Sequence, residues 1–125
     1  MPTSAAPNLL EIKMRVLYLL CFALILVAGQ ILFKYAALRA SPDALPWSLI
    51  NIWLVLALGL YGIATMLWVW LMTFVPLAYA YPFAALGFVI VPLAGVYLFD
   101  EPLSWRYVVG ATLIVTGIVT IATAD

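Results

Sequence analysis

A long segment of this 125-residue chain carries no charge, since no Asp, Glu, Lys or Arg occurs between Asp43 and Asp100. Over the whole chain 69% of the residues are hydrophobic and 8% are charged, against about 25% charged residues in soluble domains. So short a chain cannot hide that much apolar surface from water. The uncharged segment is long enough for two membrane helices of about 20 residues each. The sequence therefore predicts an all-α integral membrane protein.

Four apolar blocks follow one another along the chain, separated by short segments with the Pro, Ser and Asp of turns. We expect residues 1–10 to be polar and disordered, and residues 1–125 to form a single membrane domain with four transmembrane helices. The few Lys and Arg residues are nearly balanced between the two sides, so the positive-inside rule leaves the orientation open. The predicted spans cover about residues 16–37, 47–72, 77–99 and 105–124.

Aromatic residues mark the second block. Trp47 and Trp70 flank it, as is typical of side chains at the membrane–water interface. Trp53, Tyr61 and Trp68 lie deeper in the block. Contact of these three side chains with lipid is the simpler interpretation of their position.

Composition excludes several classes of function. The net charge is zero and no basic run occurs, so we expect no nucleic acid partner. The chain has no His, and Cys21 is its single cysteine, which excludes a disulfide within the chain and a thiolate metal cage. The apolar blocks also contain no carboxylate. We therefore expect neither an enzyme nor a metal or cofactor site.

The first block ends with two polar side chains in the run AGQILFK. Gln30 and Lys34 are four residues apart, so they share one face of a helix. Lys34 lies close enough to the end of the block to reach the membrane surface by snorkelling, which would leave its charge incidental. The alternative is that Gln30 and Lys34 form a polar stripe that binds an anionic group, such as a phosphate.

The third block combines tyrosines with residues that allow a helix to bend. Pro82 removes a backbone hydrogen bond, and Gly87 follows it. We expect these two residues to act as a hinge, although a static kink fits the pattern as well. Tyr79 and Tyr81 stand near the start of the block, where their hydroxyl groups are candidates to line a polar cavity.

The fourth block offers a surface for helix association. Gly110 and Gly117 are seven residues apart, and small residues let helix backbones approach closely in lipid. Four helices with short connections enclose little volume, so a second chain is expected to complete a substrate chamber. We predict that these glycines lie at a dimer interface. The alternative is that they pack within one chain.

These motifs resemble those of the small four-helix members of the drug/metabolite transporter superfamily, over about residues 15–123. Small multidrug resistance exporters share the Gly29 and Lys34 pattern, an alanine-tyrosine-alanine run and a glycine-spaced fourth helix. They rely on a glutamate eight residues before the lysine. This chain has Leu26 at that position, so the group that exchanges protons for cationic drugs is missing.

A closer resemblance is to the ArnE/ArnF-type flippase subunits for aminoarabinose-phosphoundecaprenol. That type has an alanine-glycine-glutamine run with a following lysine, then valine-proline and alanine-tyrosine-proline, and finally a glutamate-proline turn. The last motif is also found in the wider superfamily, so it identifies the superfamily better than the substrate. The matching residues here are Ala28-Gly29-Gln30 with Lys34, Val75-Pro76 with Ala80-Tyr81-Pro82, and Glu101-Pro102.

The resemblance implies a multi-pass subunit of the bacterial inner membrane, in an antiparallel or otherwise paired homodimer or heterodimer with a paralogous four-helix chain. The subunit would move an undecaprenyl-phosphate-linked sugar such as aminoarabinose between leaflets, for modification of lipid A or a glycan. Lys34 would bind the phosphate, and Gln30, Tyr79 and Tyr81 would contact phosphate or sugar. Two alternatives remain: an exporter of small organic cations or metabolites, and a partner subunit that transports nothing itself.

Overall fold

The structure is a computed structural model that describes residues 6–123, a range with five α-helices and no β-strand. The all-α prediction is confirmed. Three segments, Leu9–Leu38, Ile52–Leu71 and Leu77–Phe99, are long and apolar enough to cross a membrane, and a shorter apolar helix follows them. The helices are α1 (Leu9–Leu38), α2 (Ile52–Leu71), α3 (Leu77–Ala84), α4 (Gly87–Phe99) and α5 (Trp105–Ala122).

Helix α1 begins at Leu9, earlier than the predicted start near Val16. The Asn8 side chain accepts a hydrogen bond from the Glu11 backbone N–H at 2.8 Å and donates to the Glu11 carboxylate at 3.4 Å. The first contact satisfies one of the free N–H groups of the first turn, and the second joins the two side chains. The expectation of disorder is therefore wrong for residues 9 and 10. The same expectation for residues 1–5, and the predicted end of the fourth span at residue 124, lie outside the described residues.

The connection between α1 and α2 is longer than predicted, because α2 begins at Ile52 and not near Trp47. Two short 3₁₀ turns, Pro42–Ala44 and Trp47–Leu49, occupy part of this connection. The Asn51 side-chain oxygen then accepts from the backbone N–H groups of Trp53 and Leu54 in the first turn of α2, at 3.1 and 3.2 Å. A helix that needs such a cap starts after the capping residue.

Asn51 also joins the ends of two helices. Its Nδ2 atom donates a hydrogen bond to the carbonyl oxygen of Ala36 at 3.0 Å. Ala36 lies in the last turn of α1, where carbonyl groups lack a partner within their own helix. One side chain thus satisfies polar backbone groups at the end of α1 and at the start of α2.

Helices α1 and α2 run antiparallel and form most of the core. Tyr18 near the start of α1 packs edge-on against Trp70 near the end of α2, with ring centroids 5.1 Å apart. At the opposite end Tyr35 stacks on Trp53 at 5.2 Å. The core cluster includes residues from α1, α2, the following connection and α3: Leu19, Phe22, Ala64, Leu71, Val75 and Ala80.

The third span is broken at Ala85 and Leu86, between α3 and α4. This break lies between Pro82 and Gly87, the two residues predicted as a hinge; the motion itself remains a prediction. Beyond the break, Phe99 packs against Tyr35 with ring centroids 5.0 Å apart. Helices α3 and α4 therefore follow the same direction as α1.

Helix α5 packs little against the rest of the described chain, and most of its residues are exposed. Ser104 caps it by accepting from the Tyr107 N–H at 3.2 Å. The Tyr107 hydroxyl donates to the carbonyl oxygen of Phe88. Three threonine hydroxyls in α5 each donate to the carbonyl one turn earlier, at 2.8 Å, which satisfies them inside the helix: Thr112, Thr116 and Thr120.

At Gly29 the backbone of α1 lies close to the Tyr61 side chain of α2. A Cβ atom added there would lie 2.6 Å from Cδ2 of Tyr61 and would also contact Cε2 of that ring. The ring therefore fills the space that a side chain at position 29 would take.

We expect Gly29→Ala to lower thermal stability in detergent, because the Tyr61 ring must move and overpacking costs about 1–3 kcal/mol. The matched control is Gly59→Ala, since a Cβ at Gly59 has nothing within 4 Å. The control should unfold at an equal or higher temperature, because alanine favours a helix over glycine by about 1 kcal/mol. Equal unfolding temperatures for Gly29→Ala and the wild type would contradict this account of the helix contact.

Candidate functional site

Three open cavities of about 400, 360 and 480 Å³ lie in line between α1, α2 and the broken third span. We call them together the central groove. Each cavity shares lining residues with the next, so the groove is continuous along the protein. Leu26, Ala84 and Phe88 join the first cavity to the second, and Gln30, Val91 and Pro92 join the second to the third.

An ion pair lies at one end of the central groove. Nζ of Lys34 is 2.6 Å from Oε1 of Glu101, and the two side chains are 42% and 45% exposed. The Lys34 ammonium also lies 5.9 Å from the centroid of the Phe99 ring, within the range of a cation–π contact. Lys34 and Glu101 both line the third cavity, and they are the only charged side chains among the described residues that line the groove.

The turn after α4 brings Glu101 to this position. Asp100 adopts a left-handed backbone conformation with φ 52° and ψ 33°, which an Asp side chain tolerates better than most. The Glu101 N–H then donates to the carbonyl oxygen of Gly95 at 3.3 Å, so the chain folds back over the last turn of α4. Pro102 follows in the predicted glutamate-proline turn, and the chain does not resume a helix until Trp105.

Gly95 makes room for the carboxylate. A Cβ atom at this position would lie 2.8 Å from Oε2 of Glu101. Because glycine has no side chain, the Glu101 carboxylate lies directly against α4 and within reach of α1. The ion pair therefore depends on a close approach between a side chain and a helix backbone.

Gln30 and Tyr61 form a second polar contact, in the middle of the groove. The Gln30 amide donates a hydrogen bond to the Tyr61 hydroxyl, and both side chains line the second cavity. Tyr61 is held by its contact with Gly29 and by Phe33, whose ring centroid lies 5.0 Å away. Gln30 also lines the third cavity beside Lys34, so the predicted polar stripe of α1 faces the groove.

The structure does not bring the two predicted tyrosines next to Lys34. Tyr81 lines the first cavity, at the opposite end of the groove, with its ring centroid 6.4 Å from that of Trp68. Tyr79 is exposed, packs on Phe83 at 5.9 Å, and lines none of the three cavities. The four side chains expected to share one headgroup therefore do not lie together: Gln30 and Lys34 line the third cavity, whereas Tyr81 lines the first.

The deep aromatic residues of α2 are not lipid-facing bulk, and that interpretation was wrong. Each packs on α1: Trp53 on Tyr35, Tyr61 on Gly29, and Trp68 stacked on Phe22. They also follow a helical repeat, because residues 53, 57, 61, 64, 68 and 71 recur every three or four positions. That repeat is a sequence signal for one buried face of α2, and it would have identified Tyr61 as a groove residue.

Sequence reasoning also missed the pairing of Lys34 with Glu101. A charged side chain inside a membrane helix usually has a partner of opposite charge. The first and third spans end on the same side of the membrane, because the chain crosses the membrane twice between these two ends. The acidic turn after the third span was therefore one source of a partner for Lys34, besides Asp43 in the connection after the first span.

Leu26 lines the first and second cavities. This is the position at which small multidrug resistance exporters were expected to carry a glutamate. The groove of this protein is apolar at that point. Within residues 6–123 no three His, Cys, Asp or Glu side chains lie close enough together to hold a metal ion.

Apolar helices around a continuous groove, with an ion pair at one end, define a multi-pass membrane protein with an amphipathic cavity. The chain belongs to the EamA-like transporter family, whose sequence profile matches residues 8–123. No solved structure matches the chain significantly.

Several relatives carry one name, "Probable 4-amino-4-deoxy-L-arabinose-phosphoundecaprenol flippase subunit ArnE". The relative from Sodalis glossinidius is 41% identical over 104 residues, which is 82% of this chain and 93% of the relative. The relative from Enterobacter sp. is 35% identical, over 81% of this chain and 91% of the relative. The relative from Escherichia coli O45:K1 is 40% identical, over 78% of this chain and 86% of the relative. The predicted resemblance to ArnE-type subunits is confirmed.

Proposed function

We propose that the chain is a subunit of a bacterial inner-membrane flippase that moves an undecaprenyl-phosphate-linked sugar, such as 4-amino-4-deoxyarabinose, between leaflets. The observation that carries the proposal is the central groove, which is apolar along most of its length and charged at one end. A lipid-linked sugar phosphate has the same distribution, with a long apolar tail and an anionic headgroup. The name and the wide coverage of the ArnE relatives support the same substrate class.

In this proposal the phosphate binds at the third cavity, where the Lys34 ammonium donates charge-assisted hydrogen bonds to it. Gln30, one helical turn deeper, offers a neutral amide to the phosphate or the sugar. The Tyr61 hydroxyl fixes the orientation of that amide. The first cavity, lined by Phe22, Leu26 and other apolar side chains, holds part of the prenyl tail.

Tyr79 and Tyr81 have a different part in the proposal because they lie at the far end of the protein. A headgroup that crosses the membrane leaves the Lys34 end and arrives near these tyrosines, or travels in reverse. Their hydroxyl groups would then contact the headgroup in the opposite leaflet. Pro82 and Gly87, on either side of the break in the third span, would let α3 and α4 move relative to each other during the transfer.

The proposal includes a second chain, either another copy or a paralogous four-helix subunit. The central groove is open in a single chain, and α5 is exposed along most of its length. A Cβ added at Gly110 or Gly117 meets nothing within 4 Å, so these glycines have no close neighbour within the described chain. This favours a contact with a partner helix over packing inside one chain.

Removal of the charge at Lys34 should abolish leaflet transfer of a polyprenyl-phosphate sugar in proteoliposomes, because the phosphate loses its cation in a low-dielectric setting. Lys34→Arg should keep part of the activity, since the charge remains while its shape changes. Gln30→Leu should weaken binding of the lipid about fivefold, because one neutral hydrogen bond, worth about 1 kcal/mol, is lost.

The matched control for Lys34→Ala is Lys13→Ala, an exposed lysine of the same helix that lines none of the groove cavities. This control should transfer the lipid at the wild-type rate when the proteins are reconstituted in equal amounts. Wild-type activity in Lys34→Ala would show that the lysine is an ordinary interfacial residue.

The double substitution Gly110→Leu and Gly117→Leu should reduce the fraction of dimers trapped by cross-linking in membranes. Bulky side chains hold two helix backbones apart, and close packing drives helix association in lipid. Gly59→Leu is the matched control, because Gly59 has equally open surroundings but lies on α2. An unchanged dimer fraction in the double variant would exclude α5 as the interface.

Cells that express the chain should gain no resistance to quaternary ammonium compounds over cells with an empty vector. Proton-coupled export of such cations requires a group that exchanges protons within the membrane, and Leu26 stands at the position where the exporters carry one. A gain in resistance that disappears when the proton gradient is collapsed would reject the flippase in favour of the exporter.

A further inference from the structure

The carboxylate at the charged end of the groove is unexpected in a site for a phosphate alone. Lys34 is the only cation that lines the groove within the described residues, and Glu101 already occupies it at 2.6 Å. A ligand with only a negative charge would have to displace Glu101 and leave that carboxylate without a partner. The unpaired carboxylate would then face the anionic ligand across the same cavity, and two like charges at close range repel each other.

We infer that Glu101 recognises a positively charged amino group on the same headgroup whose phosphate binds Lys34. Binding of the ligand would then replace the ion pair between Lys34 and Glu101 by two ion pairs between protein and ligand. The inference rests on the proposed function and deepens it, because it makes Glu101 the residue that selects amino sugars over neutral sugars. The ammonium group binds the carboxylate of Glu101, and the phosphate binds the ammonium of Lys34. In the bound state each of the four charges has a partner of opposite sign.

The geometry lets the two side chains separate. Both are more than two-fifths exposed, and an ion pair with that exposure is weak. Glu101 follows the left-handed residue Asp100 in a turn outside any helix. The third cavity, of about 480 Å³, adjoins both charged groups and extends to Gln30.

The exchange also keeps the groove electrically neutral. A sugar with one ammonium group and one phosphodiester carries no net charge, and the pair of Lys34 and Glu101 carries none. The complex of ligand and protein is then neutral as well. A ligand without net charge avoids the additional penalty that an uncompensated charge pays in a low-dielectric region. A neutral sugar phosphate would instead bring one uncompensated negative charge.

The test compares two lipids that differ at the amino group: polyprenyl phosphate linked to 4-amino-4-deoxyarabinose, and the same lipid with the amine N-acetylated, which removes the positive charge and adds an acetyl group. Binding of each lipid is measured to the full chain in reconstituted membranes. We expect the wild type to bind the free amine about tenfold more tightly, the size of one charge-assisted hydrogen bond in a partly exposed site.

Three variants separate recognition from a structural role of the ion pair. Glu101→Gln should weaken binding of the amine about tenfold and leave the N-acetylated lipid unchanged or tighter, because Lys34 is then free for the phosphate. Lys34→Gln should weaken binding of both lipids. Glu101→Asp keeps the negative charge and should keep the preference for the amine. A purely structural ion pair predicts instead that Glu101→Gln weakens both lipids equally.

Gly95→Ala offers an independent change that leaves both charged residues in place. The added methyl group displaces the Glu101 carboxylate, which is the far end of a flexible side chain, so folding should be retained. The preference for the amine should fall. The wild-type comparison needs no variant, so the inference can be rejected even where a variant fails to fold.

Equal affinity of the wild type for the two lipids overturns the role of Glu101 and leaves the proposed function standing. Equal weakening of both lipids in Glu101→Gln overturns it as well. Failure of the wild type to bind either lipid rejects the proposed function itself. A clear preference for the amine that Glu101→Gln removes and Glu101→Asp keeps supports the inference.

Discussion

Inside a lipid bilayer every polar group needs a partner from the protein, because no water is present to supply one. The helices meet this requirement for the backbone, and Asn51 meets it where α1 ends and α2 begins. Threonine hydroxyls of α5 bond to their own helix. Two contacts join polar side chains of different elements, Gln30 with Tyr61 and Lys34 with Glu101. Both contacts line the central groove, so this cavity brings together polar side chains that are distant in the sequence.

Two glycines decide where these pairs form. Gly29 lets the Tyr61 ring lie against the backbone of α1, and Gly95 lets the Glu101 carboxylate lie against the backbone of α4. In each case an added Cβ would occupy the space that the polar partner's side chain needs. Apolar surface provides little drive for helices to associate in lipid, so close packing at small residues carries more weight. The close contacts at these glycines therefore bring the helices together and also position the polar side chains of the site.

The sequence predicts the parts of this structure that depend on local pattern. Uncharged blocks of the right length predict the helices, and the spacing of Gln30 and Lys34 predicts one polar stripe, which the structure places in the groove. Helix starts were missed where a single side chain decides them, at Asn8 and Asn51. The partners of the stripe were missed because they come from other helices. Tyr79 and Tyr81 were grouped with Lys34 although they begin the third span and Lys34 lies near the end of the first. These spans run parallel, so a residue at the start of one lies far from a residue at the end of the other. A helix rises about 1.5 Å per residue, which sets that separation.

The strength of the Lys34–Glu101 pair suits a site whose contacts must be exchanged. A fully buried ion pair is expensive to break, because removal of one partner leaves a desolvated charge. A fully exposed lysine would need no partner and would not hold the carboxylate at the groove. This pair is intermediate in exposure, so it neutralises Lys34 in the empty groove and still separates readily. The Phe99 ring, 5.9 Å from the Lys34 ammonium, stabilises the cation through its π face while the carboxylate moves away. Lys34 therefore keeps a favourable contact throughout the exchange, and the proposed entry of a headgroup requires only Glu101 to move.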